Sequence, residues 1–260
     1  MQVGNADRQL YAEVEYYQND LTAFRALLDA HPSLKNEADP DDPATWAGNG
    51  FNGIVEWEYG TPKRIRKLNL YDKQLDGELN VSGFDYLYYL NCSDNNLTSL
   101  IVNNPRINTI YCTNNLIDKL SLSSPNGTLR YLYCSNNQLN SLDTRTLQLE
   151  DLECANNNIS SLNINTSIKQ LDCSNNKLSS LNARIYTNLT KLNCSYNDLN
   201  ELDVYGVNGL KNINCSDNKI NSLRLPNGLT VTHTSSENGT SQVTSAKIYD
   251  AQWNITLKAV

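Results

Sequence analysis

The sequence predicts an α/β solenoid: a curved, right-handed coil with a parallel inner β-sheet, a helical N-terminal cap and a β-type C-terminal cap. Two observations predict this fold class. Seven cysteines recur at steps of 20, 22, 20, 19, 21 and 21 residues, each inside the same short phrase. A fixed period of this size is typical of a solenoid, and dissimilar stretches flank the repeats at both ends, where a solenoid needs caps.

The N-terminal cap is expected to cover residues 1–62, first as helix and then as a strand or hairpin. Between residues 6 and 31, helically spaced apolar residues form two stripes, Leu10, Val14 and Tyr17 in the first and Leu21, Phe24, Leu27 and Leu28 in the second. We expect Asn19 or Asp20 to cap the second stripe's helix and Pro32 to end it. The stretch 53–70 predicts a strand or hairpin leading into the repeats.

The repeat phrase LxxLxCxxNxL occupies residues 63–225 in about eight copies. Positions 4 and 6 alternate inward on a short strand, so stacked strands place these side chains in columns through the core. An eighth, cysteine-free copy at 65–75 has Leu70 and Lys73 where the others have Cys and Asn, as expected of a terminal repeat. The sixth position is occupied by Cys92, Cys112, Cys134, Cys154, Cys173, Cys194 and Cys215.

The cysteine column predicts a ladder of packed free thiols, because buried cysteine behaves as a small hydrophobe. Disulfides between neighbours and a metal site are the alternatives. Parallel ladder geometry suits a disulfide poorly, and a row of thiols does not converge on a tetrahedron. We therefore predict no metal and no cofactor.

An asparagine column follows at position 9 of the phrase. An inward asparagine can bond the turning backbone, and we expect each one to bond its own and the next repeat. A leucine column is expected to close the far side of each coil. The asparagines are Asn95, Asn115, Asn137, Asn157, Asn176, Asn197 and Asn218, and the leucines are Leu100, Leu120, Leu142, Leu162, Leu181, Leu202 and Leu223.

The C-terminal β cap is expected at residues 226–260, after the repeat phrase stops. Asn238-Gly239 is a hairpin turn signal. Trp253, Ile255 and Leu257 alternate with polar residues, as in a half-buried strand.

The repeats resemble the cysteine-containing leucine-rich repeats of bacterial surface proteins, the internalin type. The resemblance is carried by the phrase LxCSNNxLxxL at 132–142 and 171–181. The stretches DLTAFRALLDAHPSL and TWAGNGFNGIVEW resemble the capping region of many plant and bacterial leucine-rich repeats, without the paired cysteines of plant versions. The resemblance implies adhesion or protein recognition and no catalysis. Similar arrays also occur in phage and giant-virus proteins, which leaves a virion component open.

The composition excludes several classes of function. A net charge of −7 leaves no electrostatic footprint for nucleic acid or anionic membrane. No run of 18 apolar residues predicts a membrane span, and the first residues lack the pattern of a signal peptide. The compartment is thus open: extracellular for a mature form, otherwise cytoplasmic or virion-associated. The acidic run Glu37, Asp39, Asp41 and Asp42 is expected to be a solvated loop, with calcium as the alternative.

The exposed positions of the inner strand, 2, 3 and 5, vary between repeats, with positions 7 and 8 expected to be exposed just beyond. Tyrosines gather there on three adjacent repeats, with acids beside them. Exposed tyrosines are enriched at binding hot spots, although they also stabilise sheets. The predicted binding residues are Tyr88, Tyr89, Tyr111, Tyr131, Tyr133, Glu150, Asp151, Glu153 and Asp172.

These observations predict a non-catalytic recognition or adhesion module that binds a protein or glycan through its concave face. An enzyme is not predicted, since an open sheet offers no water-excluded pocket and the two histidines, His31 and His233, lie near opposite ends. The alternative is a structural or self-assembling surface or virion component. We expect a monomer, with self-assembly left open.

Overall fold

The computed structural model describes residues 15–47, 53–226 and 254–256. Their α-helix is α1 (Gln18–Ala30), and 3₁₀ helices lie at Pro32–Asn36, Pro43–Ala47 and Ala183–Ile185. In chain order the strands are β1 (Val55–Trp57), β2 (Ile65–Asn69), β3 (Asp76–Asn80), β4 (Tyr89–Asn91), β5 (Asn96–Asn103), β6 (Thr109–Tyr111), β7 (Lys119–Ser123), β8 (Tyr131–Tyr133), β9 (Ser141–Asp143), β10 (Asp151–Glu153), β11 (Ser161–Asn163), β12 (Gln170–Asp172), β13 (Lys191–Asn193), β14 (Glu201–Asp203), β15 (Asn212–Asn214), β16 (Ser222–Arg224) and β17 (Asn254–Thr256).

The inner sheet has ten strands in the order β1-β2-β4-β6-β8-β10-β12-β13-β15-β17. All pairs from β2 onward are parallel, and equivalent positions pair, for example Leu90 with Ile110 and Ile110 with Leu132. Only β1 is antiparallel, forming a hairpin with β2. The repeat therefore builds a parallel solenoid of about eight turns with an N-terminal helix, which confirms the predicted fold class.

The outer side of the coil has short strands in three groups, β3-β5-β7, β9-β11 and β14-β16. The 3₁₀ helix Ala183–Ile185 lies in the coil between β11 and β14. Repeats of about 20 residues leave little chain for an outer helix, so the coil closes through strands and turns. The predicted leucine column packs on this side, with Leu100 fully buried and Leu120 and Leu162 partly buried against the core.

The inward side chains at positions 4 and 6 of the repeat form two columns in the core, as predicted. All seven cysteines are free and buried, with exposed fractions of 0 to 4%. Burial raises the pKa of every thiol, to about 12 for Cys92 and Cys215. The column thus consists of neutral thiols that pack as small apolar groups.

The asparagine column bonds the preceding repeat, so the expected bond to the next repeat is wrong. Asn137 Nδ2 donates to the carbonyls of Cys134, in its own coil, and Cys112, in the preceding coil, at 3.1 and 2.9 Å. Asn137 Oδ1 accepts the N–H of Ile117, also in the preceding coil, at 3.0 Å. The reason is that the carbonyl and N–H left unpaired at the end of one coil face the asparagine of the following coil.

Each coil leaves the inner strand through a left-handed residue at position 8. Eight such residues have φ between 52 and 58°, and seven of them are Asp or Asn. These residue types tolerate this conformation better than other non-glycine residues. Tyr196 is the exception, at φ 54°.

The helix α1 closes the N-terminal end of the core with the second predicted stripe, Leu21, Phe24, Leu27 and Leu28. Its end before Pro32 is as predicted, but its N-cap is Tyr17, without a side-chain capping bond. Asp20 faces inward instead and accepts the N–H of Ile65 at 2.7 Å. The expected caps Asn19 and Asp20 are therefore wrong, because a carboxylate acceptor is needed where β2 begins. Leu10 and Val14, from the first stripe, lie outside the described residues.

The acidic loop packs over the first coil. Glu37 pairs with Lys73 at 2.6 Å, while Asp39 and Asp42 carboxylates accept backbone N–H groups inside the loop. In the described part of the chain, no group of three or more His, Cys, Asp or Glu side chains is placed to hold a metal ion.

The division into a cap at 1–62, a solenoid at 63–225 and a cap at 226–260 stays a prediction. Most of the expected C-terminal β cap, including Asn238-Gly239, lies outside the described residues. Its strand β17 extends the inner sheet by pairing in parallel with β15. None of the helices that the structure describes is both long and apolar enough to span a membrane.

Candidate binding surface on the concave face

The concave face of the solenoid is formed by positions 3 and 5 of the inner strands. On β4 and β10, for example, these positions are partly or fully exposed, while position 4 between them is buried. Position 7, expected to be exposed, is mostly buried: Ser93, Ser135 and Ser195 are less than 10% exposed. Small serines fit there because their hydroxyls bond the neighbouring coil, as Ser135 Oγ does in accepting the N–H of Ala155.

Three of the predicted tyrosines form one continuous row of rings across strands β4, β6 and β8, in which the first pair is tilted at 47° and the second pair is stacked. The ring centroids of Tyr89 and Tyr111 are 5.7 Å apart, and those of Tyr111 and Tyr133 are 4.4 Å apart with an interplanar angle of 13°. We call Tyr89, Tyr111 and Tyr133 the tyrosine stack. Their rings are half-buried, so they present a firm aromatic surface with little freedom left to lose on binding.

The other two tyrosines lie at the margin of this stack. Tyr88 is 42% exposed, with the guanidinium carbon of Arg66 5.7 Å from its ring centroid. Tyr131 is 36% exposed. Within the described residues, neither ring contacts another aromatic ring. Of the five predicted tyrosines, three therefore form the tyrosine stack and two lie at its margin.

A hydrogen bond joins the tyrosine stack to the acidic residues. The hydroxyl of Tyr133 donates to Oδ2 of Asp151, on the next strand, at 3.3 Å. Burial and the neighbouring Asp151 carboxylate raise the pKa of Tyr133 well above its usual value. Tyr133 is thus neutral and able to donate at any physiological pH.

The four predicted acids have different surroundings. Glu150 is neutralised within the chain, because Lys169 Nζ lies 2.7 Å and Arg130 Nε 3.6 Å from its carboxylate. Asp172 accepts hydrogen bonds from the backbone N–H and hydroxyl of Ser174 and from Asn193 Nδ2. In the described residues no ion pair involves Asp151, Glu153 or Asp172.

Asp151, Glu153 and Asp172 line one side of a groove of about 390 Å³ that runs over β10, β12, β13 and β15. We call it the acidic groove. The residues that complete it, Gln170, Lys191, Asn193, Asn212 and Asn214, were not among the predicted binding residues. Their signal was present in the sequence, since they occupy positions 3 and 5 of the following repeats, but polar residues did not stand out there.

Electrostatic crowding marks the two acids nearest the tyrosine stack. Burial raises the pKa of Asp151. Burial, followed by the charges of Asp151 and Asp172, raises the pKa of Glu153. The hydrogen bond from Tyr133 and the charge of Lys191 partly oppose the rise for Asp151, and Lys191 partly opposes it for Glu153. Three carboxylates facing one lysine give the groove a surplus of negative charge that favours a bound cation.

The chain was compared with known proteins. No protein-family model and no curated protein matched it. Among solved structures it is similar to the functional domain of InlJ from Listeria monocytogenes, which includes a cysteine ladder, with a TM-score of 0.51 and 33% sequence identity over 58% of this chain and 36% of that one. It is also similar to YopM from Yersinia enterocolitica, with a TM-score of 0.56 and 28% identity over 62% of this chain and 36% of that one.

The similarity to InlJ and the column of seven buried cysteines identify the repeat type. This chain is a leucine-rich-repeat solenoid with a cysteine ladder. The internalin-type resemblance of its repeats is confirmed. This chain spans about a third of the length of each of these two structures, so the similarity shows the fold and does not assign their activities to this chain.

Proposed function

We propose that this leucine-rich-repeat chain is a non-catalytic recognition module that binds a protein or glycan through its concave face. The binding surface is the tyrosine stack together with the acidic groove. Surface location and a role in adhesion belong to the same proposal, in line with the internalin-type repeats.

The observation that carries the proposal is the contrast between neighbouring positions of one strand. Positions 4 and 6 repeat the same residue types along the core, whereas positions 3 and 5 change from tyrosine to acid to asparagine. The half-buried rings of the stack lie beside a groove large enough for several side chains. Aromatic residues next to partly desolvated polar groups are typical of binding hot spots.

The test is a selection of ligands from a displayed peptide library and a glycan array, with the wild-type chain and three variants. The triple variant Tyr89→Ala/Tyr111→Ala/Tyr133→Ala removes the stack. Thr109→Arg keeps the stack and places a bulky side chain on the concave face. Tyr59→Ala is the control, because Tyr59 is 89% exposed in the β1–β2 turn.

We expect the wild type and Tyr59→Ala to select the same ligands. The triple variant and Thr109→Arg should bind them at least about tenfold more weakly, since hot-spot truncations cost 2 kcal/mol or more. Circular dichroism checks that both variants fold. Ligands that all four proteins bind equally would contradict the concave site. A mass that rises with concentration in light scattering, without any ligand, would favour the structural alternative.

A further inference from the structure

In the described part of the chain, arginine lies beside both a tyrosine ring and a carboxylate at three places. Arg64 lies between two rings, with its guanidinium carbon 3.6 Å from the Tyr17 centroid and 4.0 Å from the Tyr86 centroid. The same guanidinium donates to both oxygens of Asp20, at 3.0 and 3.3 Å. We call Asp20, Arg64, Tyr17 and Tyr86 the Asp20 cluster.

Two further sites repeat this combination with longer distances. Arg66 lies 5.7 Å from the Tyr88 ring centroid and within 3.7 Å of the carboxylates of Glu56 and Glu58. At the other end of the solenoid, Arg184 and Arg224 both lie near the Tyr205 ring, at 5.7 and 5.3 Å, and both approach Asp203. At both sites a guanidinium group thus lies near a ring and a carboxylate together.

The end of the tyrosine stack has the same parts without the arginine. In the inner sheet, Tyr111 lies on one side of Tyr133 and Glu153 on the other. Tyr111 stacks on one face of the Tyr133 ring, Glu153 is the register partner of Tyr133 on the next strand, and the Tyr133 hydroxyl donates to Asp151. Arg130, which directly precedes β8, already pairs with Glu150 and donates hydrogen bonds to the carbonyls of Gly127 and Gln148. No arginine of the described residues forms an ion pair with Asp151 or Glu153.

We propose that the ligand of this concave surface is a protein segment with an arginine side chain that lies against Tyr133 and pairs with Asp151 and Glu153. This inference rests on the proposed function and names the chemistry of its partner. The rest of the segment lies along the tyrosine stack, where its aliphatic or aromatic side chains gain apolar contact. Charge complementarity supports this occupant, because the groove has three carboxylates and one lysine.

Arginine fits this position better than lysine. Its planar guanidinium stacks on a ring while its N–H groups donate to two carboxylate oxygens at once. An ammonium group is a compact, strongly hydrated point charge, without a planar face to stack on a ring or a fork to pair with two carboxylate oxygens side by side. The polar side chains Gln170, Asn193 and Asn212 farther along the groove can accept or donate to the backbone of an extended segment.

The test uses fluorescence anisotropy with the full chain and short labelled peptides that carry leucine and phenylalanine beside one varied residue: arginine, lysine or citrulline. Citrulline keeps the planar shape of arginine and removes its charge. The site variant is Asp151→Asn/Glu153→Gln. The matched control is Asp118→Asn/Glu201→Gln, which removes two charges from exposed positions on the outer side of the coil.

We expect saturable binding of the arginine peptide, weaker binding of the lysine peptide and weaker still of the citrulline peptide. The site variant should lower affinity for the arginine peptide at least about tenfold, and the control should change it less than about twofold. Equal affinities for arginine and lysine, or equal losses in the two variants, would show diffuse charge attraction and overturn the proposal. So would the absence of saturable binding.

The two proposals fail separately. If the library or array yields ligands that need the tyrosine stack but the arginine peptide does not bind, the concave site stands and its partner chemistry is wrong. If neither experiment yields stack-dependent binding, the concave site itself is wrong.

Discussion

The Asp20 cluster and the junction of the tyrosine stack with the acidic groove both place carboxylates beside tyrosines, but only the Asp20 cluster includes an arginine. Asp20 is fully buried, and both of its oxygens accept hydrogen bonds from Arg64 while one also accepts the N–H of Ile65. Asp151 and Glu153 retain solvent contact, and their pKa values are raised. A carboxylate completed by its own chain stabilises the fold, whereas one left incomplete destabilises it slightly and is available to a partner.

The largest expected effect on stability comes from removing the Asp20 charge from the Asp20 cluster. Asp20→Asn keeps the shape of the side chain but removes the charge opposite Arg64. We expect a loss of about 3–5 kcal/mol in the free energy of unfolding, because Arg64, whose side chain is 13% exposed, keeps only the exposed Asp85 carboxylate, at 3.9 Å, as an ionic partner. Urea denaturation followed by circular dichroism measures it.

The control for this variant is Asp29→Asn. Asp29 pairs with Lys35 at 2.6 Å, but its side chain is 74% exposed, so we expect a cost of about 1 kcal/mol or less. If Asp20→Asn lowered the free energy of unfolding no more than Asp29→Asn does, the Asp20 cluster would not hold the cap on the solenoid. The proposed difference between the Asp20 cluster and the groove acids would then be wrong.

A smaller effect is expected from His31, which packs at the C-terminal end of α1 and is 3% exposed. Burial lowers its pKa from the usual 6.5, with the Asp76 charge and the Glu78 backbone partly opposing the shift. The unfolded chain therefore binds a proton first as pH falls. Stability should decrease from about pH 6.5 down to the folded-state pKa and then level off for this group.

The measurement is the free energy of unfolding of the wild type and of His31→Leu between pH 8 and 5. We expect the decrease in this range to be smaller in the variant. Parallel curves would show that His31 does not cause the acid sensitivity.

The smallest effect on stability is expected in the acidic groove. Asp151→Asn/Glu153→Gln should change the free energy of unfolding at pH 7 by no more than about 0.5 kcal/mol. The raised pKa values make the wild type gain stability as pH falls through the folded-state pKa values toward the unfolded ones, and the variant should lose this gain. The same measurement, extended down to about pH 3.5, checks it, and a loss above about 1 kcal/mol at pH 7 would indicate that these acids hold the fold.

The tyrosine stack shows how far sequence reasoning reached in the binding surface. Position in the repeat placed Tyr89, Tyr111 and Tyr133 on adjacent strands of one face, and the structure brings these rings together. Position in the repeat could not show that Glu150 is paired within the chain while Asp151 is not. That difference depends on which lysine or arginine reaches each carboxylate. Such pairings depend on side-chain direction across neighbouring coils.

The repeat phrase by itself determined the solenoid, the buried cysteine column and the strand positions that face inward or outward. A fixed period has this power because every coil must satisfy the same neighbours on both sides. The tertiary structure alone decided that Asp20 bonds Arg64 rather than capping α1, that the asparagines bond backward, and that Asp151 and Glu153 stay without an arginine partner. These outcomes depend on distances between residues far apart in the chain, which no local pattern encodes.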